Sequence, residues 1–341
     1  MKAVGYAKSL PIDDAESLMD IELPQPVAEG CDLLVRVKAI AANPVDAKIR
    51  TRAAPAQGEY RVLGWDAVGE VVAVGDAVKL YKAGDKVFYA GELNRQGCNA
   101  EFQLVDERLV GRKPASISDS EAAALPLTTI TAWELLFKHL AVTESSASGD
   151  SKSNDTILVI GAAGGVGSIL VQLIKQLTDA KVIGTASREK SQAWIKKLGA
   201  DFVIDHSKPL TPQVKALGIE SITHVASLTH TDSYFDECIE LLEPFGKIVL
   251  IDDPTSIDVM KLKPKSLSLH IEFMFARSTF KVKDMSEQGK LLNRLSALVD
   301  EDRIKATMAT HLGTINAENL RVAHQTLESG KSMGKIVLEG F

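Results

Sequence analysis

Thr156-Ile157-Leu158-Val159-Ile160-Gly161-Ala162-Ala163-Gly164-Gly165-Val166-Gly167-Ser168 decides the fold of this chain. Ile157 to Ile160 is a continuous apolar run, the pattern of a strand buried on both faces of a parallel sheet. Glycines follow at 161, 164, 165 and 167. Such a cluster permits a tight strand-to-helix turn and lets a ligand approach the backbone closely. Val166, Ile169, Leu170, Leu173, Ile174 and Leu177 then recur at helical spacing along one face. A helix that begins at such a turn presents unpaired N–H groups and a partial positive charge, which suit a pyrophosphate. Strand, glycine turn and helix in this order point to a dinucleotide-binding oxidoreductase. Gly161, Gly164, Gly165, Val166 and Gly167 are the candidate phosphate cradle.

The next strand, Lys181-Val-Ile-Gly-Thr-Ala186, sets the choice of cofactor. In NAD-binding folds an acid about 20 residues beyond the glycines holds the ribose 2′-hydroxyl. Here that count from Gly167 reaches Ser187, followed by Arg188, Glu189 and Lys190. A hydroxyl and two cations favour a 2′-phosphate, so Ser187, Arg188 and Lys190 predict NADP(H). The competing reading makes Arg188 and Lys190 solvated charges at a helix start, with Glu189 as the acid.

From residue 156 onward, strand and helix patterns alternate. Helices are predicted over 190–198 and 234–242, and strands over 202–204, 224–227, 247–251 and 266–275. This rhythm predicts a doubly wound parallel sheet. Ligands of such sheets lie beyond the carboxyl ends of the strands, which directs attention to the segments after Ile160, Ala186, Ser227 and Ile251. Ser227, Leu228, Ile251 and Asp252 are therefore candidates for contact with the cofactor. The first ~125 residues read differently, as antiparallel, partly barrel-like strands (33–39, 68–74, 86–89) broken by Gly and Pro. A helix is predicted over 131–140, a polar surface loop over 143–155, a helix over 286–298 and a last strand over 334–338.

Composition narrows the class. Hydrophobic residues make up 45% and charged residues 25% of the 341 positions, as in globular proteins of about two domains. A net charge of −6 argues against nucleic acid or an anionic membrane as partner. No apolar run reaches membrane-spanning length, and the N-terminus lacks a signal-peptide pattern. The three cysteines, Cys31, Cys98 and Cys238, are far apart and read as reduced thiols of a cytoplasmic protein.

Several motifs occur in a fixed order. They are Gly64-Trp-Asp66-Ala-Val-Gly69-Glu-Val-Val-Ala-Val-Gly75, Tyr81-Lys-Ala-Gly84-Asp85-Lys-Val87, Leu125-Pro-Leu-Thr128-Thr-Ile-Thr131-Ala-Trp133 and the glycine turn. Over nearly its whole length the chain thereby resembles the medium-chain dehydrogenase/reductase superfamily, in its quinone-oxidoreductase branch. The resemblance implies a GroES-like catalytic domain formed by residues 1–127 and 279–341, and a Rossmann domain over 128–278. It also implies an active site in the cleft between them and a homodimer joined through the Rossmann domains. Thr128 and Thr131 would lie near the nicotinamide ribose, and Lys335 would approach the cofactor phosphates or stand as a solvated charge at a strand edge.

Relatives in the alcohol-dehydrogenase branch bind a catalytic zinc. The corresponding positions here are Asn43, Trp65, Asp66 and a site near Leu127, of which only Asp66 is a good ligand. The structural-zinc region retains Cys98 alone. Neither zinc is expected, and the scattered histidines (His206, His224, His230, His270) show no ligand spacing. Without a Lewis acid, reduction of a conjugated carbonyl by hydride is easier than alcohol oxidation. Quinones are the first candidate substrates, and the C=C bond of α,β-unsaturated aldehydes or ketones the alternative. A low-turnover NADPH-binding protein is the reading from a different class. Catalytic candidates are Asn43 and Asp46, for which helix capping is the competing role, the phenol of Tyr60, and Trp65 as pocket wall or filler. Lys48 and Arg50 suggest an unusually cationic pocket.

Overall fold

The computed structural model describes residues 1–145 and 154–341. The loop expected over 143–155 falls largely outside the described residues. The chain divides into two compact units, Met1–Ile130 with Phe275–Phe341, and Thr131–Met274.

The first unit is built on one long strand, Asp32–Ala42. It is long enough to pair antiparallel with three others: Ala67–Val74, Phe102–Asp106 and Lys335–Glu339. Lys86–Tyr89, Val110–Arg112 and Met308–His311 complete this sheet of seven strands. The parallel contact between Met308–His311 and Lys335–Glu339 is its one departure from antiparallel pairing. Lys2–Tyr6 joins Met19–Glu22 and Arg61–Val62 in a small second sheet. Alternate side chains of the long strand fill the core, with Leu33, Val35 and Ala39 fully buried.

Registry at the end of that strand positions chemistry. Ile336 pairs with Ala42, and Ala67 pairs with Ile40. Lys335 and Asp66, one residue before each partner, therefore flank Asn43, the residue at which the long strand ends and the helix Pro44–Arg52 begins. Pro44 at the first helical position suits that start.

The second unit is a doubly wound parallel sheet. Its strand order is Phe202–Ile204, Lys181–Thr185, Thr156–Ile160, Ile222–Ser227, Leu242–Leu250, Ser268–Ile271, and every pairing is parallel. Thr156–Ile160 is buried at all five residues, as its unbroken apolar run requires.

Three expectations need correction. The helix expected over 131–140 starts earlier, at Pro126, and beyond Trp133 loosens into a π-helical stretch over Glu134–His139. The strand expected over 266–275 is confined to Ser268–Ile271, because Ser266 takes a left-handed turn with φ 51° and the chain leaves the sheet after Ile271. The helix Ala317–Glu328 has no counterpart among the sequence expectations.

Candidate functional site

In the second unit the glycine turn is built as its sequence suggests. Gly161 holds φ 78°, a conformation that favours glycine. Its N–H donates to Thr185 Oγ1 at 3.0 Å, tying the turn to the neighbouring strand. Gly164 is the N-cap of the 13-residue helix Gly165–Leu177 and supplies no side-chain cap. Gly167 has another function. A Cβ there would lie 2.6 Å from Ala162 Cα and from the carbonyl oxygens of Gly161 and Ala162, so only glycine lets the helix sit this close to the turn. Close approach, an uncapped helix start and the absence of side-chain bulk fit a dinucleotide pyrophosphate.

Ser187, Arg188 and Lys190 lie beyond the carboxyl end of Lys181–Thr185 and are all exposed. Glu189 begins the next helix at its first position, where a carboxylate favours the helix dipole. Ser227 is buried, and its hydroxyl pairs with that of Thr231 at 2.8 Å. Leu228 follows the strand, and its N–H donates to Ile160 O at 3.2 Å. Ile251 follows the next strand. The Asp252 carboxylate accepts from the backbone N–H of Thr231 at 2.8 Å and from the Thr231 hydroxyl. It thus caps the helix Thr231–Leu241, a structural task that the sequence reading did not give it. Thr131 is buried.

The first unit holds a second, compact constellation. Lys335 is 3% exposed and Asp66 is 0% exposed. Lys335 Nζ donates to Asp66 Oδ2 at 2.8 Å, to Ala42 O at 3.1 Å and to Asn43 Oδ1. Asn43 Nδ2 donates to Asp66 Oδ2 at 2.9 Å, and the Leu127 N–H donates to Asp66 Oδ1 at 2.7 Å. Asp46 accepts from the Asn43 N–H at 2.6 Å, so it reaches back to the helix start as a capping residue does. Burial raises the Asp66 carboxyl above its ordinary range, and the Lys335 charge acts against that rise. Burial likewise pushes Asp46 up to about 7. One Asp46 oxygen, Oδ1, is buried with no hydrogen-bond partner among the described residues.

This geometry corrects the expectation for Lys335. It is not a solvated charge, and all three ammonium protons are engaged by buried acceptors, which leaves none for a cofactor phosphate. The fit to a catalytic zinc also fails on donor chemistry. Trp65 is fully buried and its indole N–H donates to Glu92 O at 3.1 Å, so it plugs the site and offers no lone pair. Both Asp66 oxygens are already bonded, and the adjoining ammonium would repel a dication. The positive charge against Asp66 is supplied by Lys335 itself.

Arg50 requires a further correction. It is fully buried, and its guanidinium bonds Leu10 O, Glu328 and, at 3.4 Å, His324 Nδ1. Burial, reinforced by Arg50, lowers His324 to about 3; the neutral ring can then accept from the guanidinium. Arg50 clamps Pro44–Arg52 to Ala317–Glu328 and adds no charge to a substrate pocket. Tyr60 is 41% exposed and lies on the loop before Arg61–Val62. The Thr128 hydroxyl donates to Leu125 O at 3.2 Å, a bond to the residue just before its own helix. Among the histidines, His206 and His230 follow the carboxyl ends of Phe202–Ile204 and Ile222–Ser227, and His230 adjoins Thr229, which packs against Gly161. The carboxyl-end rule, applied to the short strand Phe202–Ile204 as well, would have singled out His206.

A parallel sheet with an open glycine turn in one unit, and a buried Asn–Asp–Lys cluster in the other, β-rich unit, are the features of a dinucleotide-dependent oxidoreductase. Residues 29–115 match the alcohol dehydrogenase GroES-like domain family, and residues 198–338 match the zinc-binding dehydrogenase family. A zinc-type alcohol dehydrogenase-like protein of Staphylococcus aureus (strain MSSA476) is 38% identical over 99% of both chains. The chloroplastic NADPH-dependent alkenal/one oxidoreductase of Arabidopsis thaliana is 39% identical, covering 99% of this chain and 79% of that one. Among solved structures, a putative zinc-dependent alcohol dehydrogenase from Rhizobium etli CFN 42 shares 53% identity with a TM-score of 0.95, over 100% of this chain and 98% of that one. The quinone oxidoreductase of Coxiella burnetii shares 26% identity with a TM-score of 0.79, over 99% of both. The chain belongs to the medium-chain dehydrogenase/reductase superfamily, in its quinone-oxidoreductase-like branch.

Proposed function

We propose that this protein uses NADPH to reduce electron-poor conjugated carbonyl compounds, quinones or α,β-unsaturated aldehydes and ketones, without zinc. The carrying observation is the Lys335–Asp66–Asn43 cluster, in which an internal ammonium and a plugged ligand position stand where a Lewis acid would be needed. Conjugated acceptors suit such a protein because hydride addition spreads the charge over an enolate or quinol oxygen, which donors and a dry site can stabilise. The alkenal/one oxidoreductase named above supports both the cofactor and the enone reading, and the Coxiella protein supports the quinone reading. Gly161, Gly164, Gly165 and Gly167 would hold the pyrophosphate, with Ser187 and Arg188 at the 2′-phosphate. When bound, the nicotinamide supplies the hydride. The Asp46 carboxyl, titrating at about 7, can hold a proton at neutral pH.

The test is an acceptor screen. Purified protein is mixed with NADPH and 1,4-benzoquinone, 9,10-phenanthrenequinone or an enal, and nicotinamide absorbance is followed. Metal content is measured on the same sample. Turnover with either acceptor class at substoichiometric zinc supports the proposal. NADPH binding without turnover favours a binding protein, and one zinc per chain with loss of activity on chelation overturns the zinc-free reading.

We also propose a homodimer through the second unit. Its edge strand Ser268–Ile271 carries Ile271 at 68% exposure, with Phe273 at 49% just beyond. Light scattering of the purified protein tests this.

A further inference from the structure

Four adjacent strands of the parallel sheet end at one edge, in the order Phe202–Ile204, Lys181–Thr185, Thr156–Ile160, Ile222–Ser227. The residues that follow them are Asp205-His206, Ser187-Arg188, the glycine turn, and Thr229-His230. Adjacent strands lie about 4.8 Å apart, so long side chains from the outer two can reach across the front of the inner two. The charges of Arg188 and His230 both act on His206. Thr229 packs its methyl where a Cβ on Gly161 would lie, 3.0 Å away, so His230 stands next to the turn itself.

Both imidazoles are held and left available. His206 sits edge-on to Tyr234, with ring centroids 6.5 Å apart, and its carbonyl accepts from the Tyr234 hydroxyl at 3.2 Å. Its ring nitrogens have no hydrogen-bond partner among the described residues. His230 Nδ1 is bonded to Thr229 Oγ1 at 2.7 Å, so Nε2 remains for a ligand. His230 also holds φ 51° as the residue before the helix Thr231–Leu241, a strained position for a residue with a side chain.

We propose that His206 and His230 join Arg188 in binding the 2′-phosphate of NADPH, and that the preference for NADPH over NADH thereby depends on pH. This rests on the NADPH reading above and deepens it. Cofactor phosphate is the shared chemistry, and NADH, which carries the pyrophosphate but no 2′-phosphate, separates the two sources.

The charged and titratable groups around the pair are few. Asp205 accepts from the Ser207 N–H and hydroxyl at 2.9 and 2.7 Å and lies 3.7 Å from Lys208 Nζ. Arg188 comes from the loop after Lys181–Thr185, and Tyr234 from the helix after His230. Asp232 accepts from the Thr255 N–H, and Asp252 from Thr231. Burial first, then His230 and Arg188, hold His206 below the ordinary histidine range, while Asp205 acts the other way. Without ligand it is neutral at pH 7. A phosphate raises the imidazole pKa in the complex, so the complex binds more protons than the free protein. Affinity must then rise as pH falls through the complex's pKa. The 2′-phosphate would lose its second proton at pKa ~6 on its own, and Arg188 keeps it dianionic.

The experiment measures the affinities of NADPH and NADH for the full chain by nicotinamide fluorescence at pH 6 and pH 8, for wild type, His206→Gln, His230→Asn and the double variant. Asn is chosen at 230 because it tolerates left-handed backbone. NADPH should bind several-fold more tightly at pH 6 than at pH 8 in wild type, since a one-unit rise of one imidazole pKa on binding gives at most about tenfold. NADH should change by less than about twofold. The double variant should lose the pH dependence and keep its NADH affinity, which also reports that it is folded. An unchanged pH dependence in the double variant, or an equal one for NADH, overturns the inference and leaves the NADPH reading standing. Wild type that prefers NADH at both pH values overturns both.

Discussion

Replacing Lys335 with Met removes the cation from the buried cluster and leaves Asp66 in place. The ammonium's three bonds go to Asp66, Asn43 and Ala42, all from groups that water cannot reach. Asp66 would keep its bonds from Asn43 at 2.9 Å and Leu127 at 2.7 Å but lose its only countercharge in the cluster. Removing one partner of a buried pair costs about 3–5 kcal/mol, whereas replacing both is often close to neutral. Lys335→Met should therefore lose about 3–5 kcal/mol at pH 8. Lys335→Met/Asp66→Asn should recover at least about 2 kcal/mol of it. The single variant should also regain stability as pH falls, because its Asp66 carboxyl, already raised by burial, takes a proton more readily in the folded state. The assay is a urea titration read by hydrogen exchange in Asp32–Ala42 and Lys335–Glu339, which reports this unit alone. A loss below about 1 kcal/mol, the value of an exposed ion pair, would refute the buried-cluster argument.

Asp46 titrates at about 7 against an ordinary 3.8, so the folded state binds the extra proton and stability falls as pH rises across that window. Asp46→Asn should gain on wild type by roughly 3 kcal/mol between pH 5 and pH 8, measured by the same titration; parallel pH profiles would rule this out. Arg188→Glu should reverse the NADPH preference in fluorescence binding, at a site whose neighbours are unaffected in near-UV circular dichroism; a preserved preference would clear Arg188 of contact with the 2′-phosphate. Gly167→Ala places a methyl 2.6 Å from Ala162 and Gly161 backbone and should weaken NADPH and NADH equally, by tenfold or more for a displacement costing about 1.4 kcal/mol. Weakening confined to NADPH would mean that the turn acts on the 2′-phosphate and not on the pyrophosphate.

Much of the fold was legible because its signals are local. The buried run Ile157–Ile160, the glycine turn and the apolar face of Gly165–Leu177 follow from periodicity within some twenty residues. Boundaries were less legible. The π-helical stretch over Glu134–His139 and the early end of Ser268–Ile271 depend on what the chain packs against, and no short window contains that.

The sequence by itself determined that residues 156–168 form a buried strand and a glycine turn into a helix, and that the positions matched to zinc ligands hold poor ligands. Only the tertiary structure decided what stands there instead. Asn43, Asp66 and Lys335 lie far apart in sequence. They meet because Lys335–Glu339 and Ala67–Val74 flank the same long strand in a register that stops beside Asn43. Arg50 shows the same limit in reverse: its charge is visible in the sequence, but whether it faces a ligand or Glu328 depends on where Ala317–Glu328 packs. Spacing along a chain reports which residues share a face of one element. Which faces of distant elements meet is set by strand register and helix packing, and that is where the buried ammonium of Lys335 came into view.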